Sequence, residues 1–380
     1  MKRNLALALL LPSVALAAPF AYVSNEGSGT VSVIDTATDT VVDTLQTGGK
    51  PRGGAAAGHW LYVSDQPNNR LLLIDLNERK QTGAIALGVS PEGVGRSPDG
   101  RWIAAASEQS NSITFIDTAT QREVFSVKVK GQNPEHAAFR ADGRIVYTGA
   151  EDGDTVEVID VERREQTAQI KVGPRPRGIG FLPDGSRAYV AAENADTVFV
   201  IDARAHAVLA RVSAGKRSNG ITVHPDGKRV YISNGGEASV SVLDTATNAI
   251  VATVPVGQRP WNMALTPDGR KLYVANGRSG SVSVIDTQTN TKLRDIAVGA
   301  LPATPIMCWL AGRGGPVERF SQAMLLTVPA ALRQRPPRRP SRHPRLRPGV
   351  SRWHPPVQSR LRPACTGWIS AGLTRRPARP

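Results

Sequence analysis

The side chains that could do chemistry recur at one place in a repeated pattern, directly after a glycine, two variable residues and a proline, or a serine in one copy. Eight residues at this place, one or two from each of six repeats, are candidates for binding a ligand: Arg52, Glu92, Glu135, His136, Arg177, Asn219, Trp261 and Asn262. Carboxylates, guanidinium groups, amides and aromatic rings are groups with which proteins orient small polar molecules. Their types vary while the pattern around them repeats, as expected where repetition serves folding and variation serves recognition.

Two interpretations of this set stay open, a binding site and a rim of solvated polar residues without a role. Glu135 and His136 form an adjacent pair suited to acid–base catalysis, although a pair of this kind is usually structural. The other histidines before residue 302 are His59, His206 and His224, which fall in separate repeats and lack metal-ligand spacing. The chain has no Cys-x-x-Cys-His sequence for haem attachment. We therefore predict no metal site, no cofactor and no catalytic residue.

The elements that must position these residues are seven copies of one unit. Seven aliphatic or aromatic runs end in aspartate at intervals of 40 to 43 residues, at Asp35, Asp75, Asp117, Asp160, Asp202, Asp244 and Asp286. Thirteen residues before the aspartate stands a tyrosine in six copies and Ala104 in the third. A period of roughly 40 to 50 residues is typical of β-propellers, in which each repeat forms one blade.

Each copy is predicted to form four antiparallel strands. In the clearest copy we expect strands at 262–266, 271–275, 281–285 and 291–298, with an Asp-Gly hairpin turn after the first. The favoured two-residue turn requires positive φ at both residues. The aspartate that ends each third strand is expected to cap a turn by accepting backbone N–H bonds, not to act in catalysis.

A four-stranded sheet of this size can bury both faces only by stacking on others. We therefore predict an all-β fold, a seven-bladed β-propeller of four-stranded antiparallel blades; a linear solenoid would need distinct capping units. In a propeller, the loop that leads to each innermost strand opens at one end of the central channel. The eight candidate residues are expected to surround that opening, which we call the funnel.

Closure of the ring is where the sequence departs from its own pattern. The first copy begins at its second strand, 20–24, so its innermost strand has to come from the chain after Pro302. The repeat instead stops in mid-unit, because residues 303–310 read Ala-Thr-Pro-Ile-Met-Cys-Trp-Leu and an Arg/Pro-rich segment follows. We predict either a replacement strand within residues 306–310 or an open first blade.

The composition divides the chain at the same point. Residues 301–380 contain fifteen Arg, no Lys and one Glu, and so carry +14 of the net charge of +15. The basic charge belongs to one terminal segment and does not indicate a nucleic-acid-binding protein. We predict a propeller at 19–302 and a disordered tail at 303–380, interpreted as the product of a shifted reading frame. A basic arm or a Pro-rich recognition segment is the alternative.

The first eighteen residues have the pattern of an export signal. Lys2 and Arg3 precede an apolar run at 5–11, and Ala-Leu-Ala at 15–17 is a small-residue cleavage sequence. The apolar run is too short to span a bilayer. We predict a cleaved signal peptide at 1–18 and a periplasmic or otherwise exported protein without a membrane span.

Several recurring words resemble a known family. Ala-Tyr-Val-Ser-Asn at 21–25, Leu-Tyr-Val-Ala-Asn at 272–276 and the repeated Val-Ser-Val-Ile-Asp-Thr resemble the YVTN-repeat β-propellers. Ser-Pro-Glu-Gly-Val at 90–94 and Val-Gly-Gln-Arg-Pro-Trp at 256–261 look like the exported propellers associated with PQQ-dependent alcohol catabolism. That resemblance implies a periplasmic companion of a quinoprotein dehydrogenase system with no settled chemistry of its own.

The function predicted from the sequence is that of a non-enzymatic exported scaffold. Its funnel is expected to bind a protein partner, such as a quinoprotein dehydrogenase system, or a small ligand, and not nucleic acid. A seven-bladed lactonase also resembles this fold, and lactonase-like hydrolysis using Glu92, Glu135, Arg177 and Asn219 is one alternative. Adhesion at the cell surface is another.

Overall fold

Seven four-stranded antiparallel sheets form a ring of blades in the computed structural model of the protein, which describes residues 19–308. The predicted signal peptide and the tail from residue 309 onward lie outside the described residues. Within the described part there are 28 strands and two three-residue 3₁₀ turns, at Gln66–Asn68 and Glu193–Ala195. No helix in this part has the length and apolar character needed to cross a bilayer. The all-β, seven-bladed prediction is confirmed.

The strands follow the chain blade by blade. The first blade contains β1 (Phe20–Asn25), β2 (Thr30–Asp35) and β3 (Thr40–Gln46). The second contains β4 (Pro51–Ala57), β5 (Trp60–Asp65), β6 (Arg70–Asp75) and β7 (Lys80–Ala86). The third contains β8 (Pro91–Arg96), β9 (Trp102–Ser107), β10 (Ser112–Asp117) and β11 (Arg122–Lys128). The fourth contains β12 (Ala138–Phe139), β13 (Ile145–Ala150), β14 (Thr155–Asp160) and β15 (Glu165–Lys171).

The remaining blades repeat this order. The fifth contains β16 (Pro176–Phe181), β17 (Arg187–Ala192), β18 (Thr197–Asp202) and β19 (Ala207–Ser213). The sixth contains β20 (Ser218–Val223), β21 (Arg229–Asn234), β22 (Ser239–Asp244) and β23 (Ala249–Pro255). The seventh contains β24 (Pro260–Leu265), β25 (Lys271–Asn276), β26 (Ser281–Asp286) and β27 (Thr291–Ala297). The last strand, β28 (Pro302–Cys308), returns to the first blade and gives it the order β28-β1-β2-β3.

The core lies between neighbouring blades. Tyr22 and Val31 of the first blade pack with Leu61 and Val63 of the second, and equivalent apolar clusters fill the other gaps between blades. The six repeat tyrosines are fully buried, namely Tyr22, Tyr62, Tyr147, Tyr189, Tyr231 and Tyr273. Both faces of the second and third strands are therefore covered, which explains their nearly continuous apolar sequences.

The aspartates that end the third strands cap turns, as predicted. Asp35 Oδ1 accepts a hydrogen bond from Ala37 N at 2.7 Å, and the same turn closes all seven blades. The predicted backbone conformation of the Asp-Gly turns, with positive φ at both residues, was wrong. Only the glycines have positive φ, between 67° and 75°, because the turn is made by the two preceding residues and Gly100 N bonds back to Ser97 O at 2.9 Å.

Every outer strand carries a β-bulge at its third residue. In the first blade, Val33 pairs with Asp43 and Ile34 with Val41, so that Val42 has no partner in the ladder. The same shift occurs in the other six blades. A bulge twists an edge strand and hinders pairing with another sheet, which protects the seven exposed edges around the ring.

The first blade is closed by β28, which corrects the predicted extent of the replacement strand. It begins at Pro302, not within 306–310, and pairs antiparallel with β1 from Cys308 opposite Phe20 to Pro302 opposite Asn25. Two prolines are tolerated because the innermost strand has one free edge, where no N–H is needed. Ile306 packs with Tyr22 in the core. The propeller thus includes residues 303–308, which the sequence analysis had assigned to the tail.

We expect a chain ending at Leu301 to be much less stable than a chain ending at Cys308. The shorter chain loses about five ladder hydrogen bonds, each worth about 1 kcal/mol, so its free energy of unfolding should fall by about 5 kcal/mol. For a domain of this size that corresponds to a fall in Tm of roughly 8 °C. Thermal unfolding of both truncated chains and the full chain measures this; equal Tm values for all three would contradict closure by β28.

Candidate functional site

A β-bulge at the start of the innermost strand directs the candidate residues of five blades at the channel, whereas Glu135 and His136 of the fourth blade precede its short strand β12. In the second blade, Pro51 pairs with Asp65 and Gly54 with Val63, so Arg52 and Gly53 together face one residue of β5. The third, fifth, sixth and seventh blades have the same shift. Bulges commonly redirect side chains next to functional sites. In these blades the residue directly after the loop proline position therefore has the same orientation, towards the channel.

The structure brings all eight candidate residues around one cavity of about 280 Å³ at the mouth of the channel. They are joined there by residues that the sequence analysis did not single out, among them Arg259, Met263, Ala303 and Thr304. Ala303 and Thr304 come from the closing strand, which supplies the wall of the first blade. That the eight residues bind a ligand stays a prediction.

Glycines set the width of the channel just inside the mouth. A Cβ on Gly53 or Gly93 would lie 2.3 Å from the carbonyl oxygen of the ring residue in the next blade, Glu92 or Glu135. Gly178 and Gly220 are in the same position in their blades. The innermost strands approach so closely that only glycine fits without a shift.

Three blades carry larger residues at this level, and their side chains connect across the channel. His136 Nε2 and Asn262 Oδ1 lie 3.3 Å apart, and Asn262 Nδ2 donates to Thr304 Oγ1 at 3.1 Å. This chain links the fourth, seventh and first blades. It forms a polar floor under the ring of charged residues at the mouth.

Arg177 is the centre of the charged ring and is only 7% exposed. Its guanidinium donates to both carboxylate oxygens of Glu135, and its Nη1 donates to Glu193 Oε2 at 3.0 Å. Glu151 Oε1 also lies 3.0 Å from Arg177 Nε. All the nitrogens of this guanidinium are thus engaged by protein carboxyl groups, and Arg177 and Glu135 hold each other in place.

Glu151 and Glu193 were missed by the sequence analysis, although a signal was available. Each is the first residue after the second strand of its blade, and Glu26 and Glu108 occupy the same position. The residue before the loop proline position repeats in a similar way, as Arg175, Arg217 and Arg259 in three successive blades. These two positions form a second charged tier above the candidate ring.

The buried carboxyl groups hold their protons very differently. Burial raises the pKa of Glu151 to about 10, and its hydrogen bond to Glu135 acts in the same direction. Burial opposes ionisation of Glu135 as well, but the Arg177 guanidinium holds the pKa of that carboxyl well below its usual range. At neutral pH the pair therefore shares one proton, with Glu151 as the donor and Glu135 as the carboxylate.

Glu92 faces Arg52 on the other side of the mouth. Its Oε1 accepts hydrogen bonds from Arg52 Nη1 and, at 2.9 Å, from Gln66 Nε2. Burial raises the pKa of Glu92 to about 9, and the negative charge of Glu135 adds to this, against the opposing effect of Arg52. Arg52 Nε also lies 3.5 Å from the Glu26 carboxylate. Arg52 thus lies between two carboxyl groups, Glu92 and Glu26.

Two buried polar atoms at the cavity have no hydrogen-bond partner among the described residues, Asn219 Nδ2 and His136 Nδ1. Asn219 is 3% exposed, so water does not readily satisfy its amide. Burial lowers the pKa of His136, and the nearby Glu135 carboxylate only partly offsets this. A neutral imidazole can donate or accept one hydrogen bond at Nδ1. Asn219 Nδ2 and His136 Nδ1 are therefore the atoms of this cavity that could form further hydrogen bonds with a ligand.

The fold and this site define the protein as a seven-bladed β-propeller with a polar funnel. The family described as "Lactonase, 7-bladed beta-propeller" matches residues 161–305. Hydrazine synthase of Kuenenia stuttgartiensis is similar with a TM-score of 0.65 at 22% identity, over 74% of this chain and 99% of that one. A functionally unknown protein from Desulfotomaculum acetoxidans DSM 771 gives 0.68 at 15% identity, over 77% and 99%. No curated protein matches significantly.

At these identities the likeness to the solved structures is one of fold alone. The family match covers the last strand of the fourth blade, the whole of the fifth to seventh blades and the start of β28. It includes Arg177, Asn219, Trp261 and Asn262, but not Arg52, Glu92, Glu135 or His136. The narrower resemblance to YVTN-repeat and PQQ-associated propellers is not tested by these matches and stays a prediction.

We expect the substitution Glu151→Gln to make the protein more stable at alkaline pH. A carboxyl group whose pKa is raised on folding stabilises the fold at low pH, and this contribution is lost as pH rises above about 4.5 towards 10. Glutamine copies the protonated group, so the variant should nearly match the wild type at pH 5 and exceed it by about 4 kcal/mol at pH 8.

Denaturant unfolding across this pH range is the measurement for Glu151→Gln. Glu162→Gln is the matched control, because the Glu162 side chain is 71% exposed. If Glu151→Gln and the wild type lose stability in parallel between pH 5 and pH 8, Glu151 ionises normally and the shared proton is wrong.

Proposed function

We propose that this protein is an exported, non-enzymatic β-propeller whose funnel binds a small polar ligand. The observation that carries the proposal is the pair of unpartnered buried atoms, Asn219 Nδ2 and His136 Nδ1, at a single cavity on the channel axis. A buried donor without a partner is costly, and a bound ligand would remove that cost. The cavity of about 280 Å³ lies near the lower end of ligand-site volumes, which favours a small molecule.

The chain's own contacts argue against catalysis by the carboxylates considered from the sequence. Glu135 is held by both its oxygens to Arg177, and Glu92 is tied to Arg52 and Gln66. A general base must be free to reach the proton that it removes. Glu135, Glu92 and Arg177 therefore serve to build the wall of the funnel.

Ligand binding is tested with a panel of neutral sugars, neutral lactones and small carboxylates, followed by tryptophan fluorescence and thermal shift. We expect at least one compound to change the fluorescence of the wild type, and Trp261→Phe to remove that change because Trp261 lines the cavity. Trp102→Phe, in a blade strand away from the funnel, is the control and should keep the signal. A panel without any binder, or a signal that survives in Trp261→Phe, would count against a funnel ligand.

Lactone hydrolysis is the second candidate, because the family match is to seven-bladed lactonases. His136 is the group that could act as base, since its imidazole is held neutral by burial and its Nδ1 has no partner in the described part of the chain. Its Nδ1 lies 3.9 Å from Glu135 Oε2, which could stabilise the imidazolium formed during the reaction.

The scaffold proposal leads us to expect no lactone turnover above that of buffer. Turnover that falls at least about 100-fold in His136→Gln would favour the hydrolase instead, since this is the usual effect of losing a general base. His59→Gln is the matched control, because His59 is half exposed and lies in the turn at the other end of the strands. Initial rates with a panel of lactones between pH 6 and pH 9 decide between the two.

Export and the association with PQQ-dependent alcohol oxidation complete the proposal and are supported by the sequence alone. The pattern of residues 2–17 supports export, and a mature N-terminus near Ala18 would be its direct sign. The words at 90–94 and 256–261 support the association. Genes for a quinoprotein dehydrogenase or its cytochrome beside this gene would strengthen it, and a neighbourhood without them would leave only the ligand-binding role.

A further inference from the structure

One sector of the funnel is built around the side chain of Arg259. This side chain crosses over the sixth blade to reach the fifth, where its Nη2 donates to Glu193 Oε1 at 2.8 Å. Gly235 lies under it, and a Cβ there would be 3.0 Å from Arg259 Nη1 and 3.3 Å from its Cδ. In four other blades the residue at this position is glutamate. A glycine in the sixth blade thus leaves room for the guanidinium.

The charges in this sector do not balance. Glu193 is fully buried and forms ion pairs with four arginines, Arg175, Arg177, Arg217 and Arg259. The first two have a further carboxyl partner in Glu151 or Glu135. Within residues 19–308, Glu193 is the only carboxylate that forms an ion pair with the Arg217 or Arg259 side chain, while Asp196 Oδ1 accepts from the Arg217 backbone N at 2.7 Å. One negative charge shared in this way leaves the sector positive.

The backbone holds these arginines in an uncommon conformation. Arg175, Arg217 and Arg259 have φ values of 60°, 56° and 55°, in the left-handed region that residues with a Cβ seldom adopt. A non-glycine residue in this region costs of order 1 kcal/mol and persists where the surroundings fix it. Ser90, Asn133 and Leu301 have the same conformation at the equivalent positions, so it belongs to the repeated loop, and the ion pairs with Glu193 bring the three guanidinium groups together.

A second donor is provided by the innermost strand of the same blade. Asn219, in β20, lines the cavity together with Arg259, and its buried Nδ2 has no partner in the described chain. Trp261, Met263 and Ala303 line the cavity next to them and give it an apolar side. Fixed N–H donors beside an apolar wall suit a ligand with an anionic end and a carbon body.

We propose that Arg259 and Asn219 form a subsite for the carboxylate group of a small organic acid, whose carbon body lies along Trp261 and Ala303. One carboxylate oxygen would accept from the Arg259 guanidinium and the other from Asn219 Nδ2. Charge-assisted hydrogen bonds of this kind are the strong ones, and a guanidinium matches the geometry of a carboxylate. This inference rests on the proposed ligand-binding role of the funnel and names the class of ligand.

The probe is benzoate, with benzamide as its uncharged analogue and inorganic phosphate as a second anion. Titration calorimetry on the full chain should give benzoate binding at least tenfold tighter than benzamide binding. Arg259→Gln should weaken benzoate binding about 10- to 100-fold, the usual effect of losing a hydrogen bond to a charged group. Asn219→Asp should abolish it, because a second negative charge would stand at the subsite.

Arg270→Gln is the matched control and should bind as the wild type does, because Arg270 is highly exposed in the turn at the other end of the strands. Asn219→Leu removes the donor without adding charge, and it replaces Asn219→Asp if that variant does not fold. Gly235→Ala should also weaken binding, since the added methyl group displaces the Arg259 side chain.

The outcomes separate this inference from the broader role. Equal binding of benzoate and benzamide, unchanged benzoate binding in Arg259→Gln, or binding of phosphate but not benzoate would overturn the carboxylate subsite. If a neutral compound binds at Trp261 but no carboxylate binds, the carboxylate subsite is wrong and the ligand-binding role of the funnel is still supported. If no compound binds in either experiment, both the carboxylate subsite and the ligand-binding role of the funnel are wrong.

Discussion

Each blade has two apolar faces, and neither can be covered from within the blade. Tyr22 and Val31 of the first blade are buried against the second blade, while Ala21 and Val23, on the other face of the same sheet, are buried against Tyr273 and neighbours in the seventh. The ring is therefore a condition for the core, since any gap would expose two apolar faces at once. The single connection that closes this ring is the pairing of β28 with β1.

The same closure creates the site. Seven innermost strands meeting around one axis come so close that glycine is required at Gly53, Gly93, Gly178 and Gly220. The bulge that admits these glycines turns the preceding residue into the mouth of the channel. Polar residues placed there are crowded together and removed from water, so they must be paired or neutralised. The contacts of Arg177 with three glutamates, and the proton retained by Glu151, are the result.

Most of the polar groups at the mouth form hydrogen bonds or ion pairs with one another. The few that do not are the groups that indicate a ligand. Asn219 Nδ2 and His136 Nδ1 lack partners in the described chain, and Arg259 shares a single carboxylate with three other arginines. Charged residues of the wall such as Arg177 and Glu135 pair with one another and so keep these groups fixed in direction. Preorganised donors of this kind lose little entropy when a ligand binds, which is how a small cavity gains affinity.

The sequence by itself determined the number of blades, their four strands and the residues at the funnel, because hydrogen-bonded ladders, turn caps and buried faces recur at fixed spacings along the chain. The tertiary structure decided what has no fixed spacing. Arg259 and Glu193 are 66 residues apart and meet only because one side chain reaches over the sixth blade. Residues 302–308 form a strand because closure leaves an unpaired edge on β1, although their sequence does not continue the repeat. Repetition is local and can be read from the chain, whereas the choice of partners across blades depends on distances that exist only after the ring has closed.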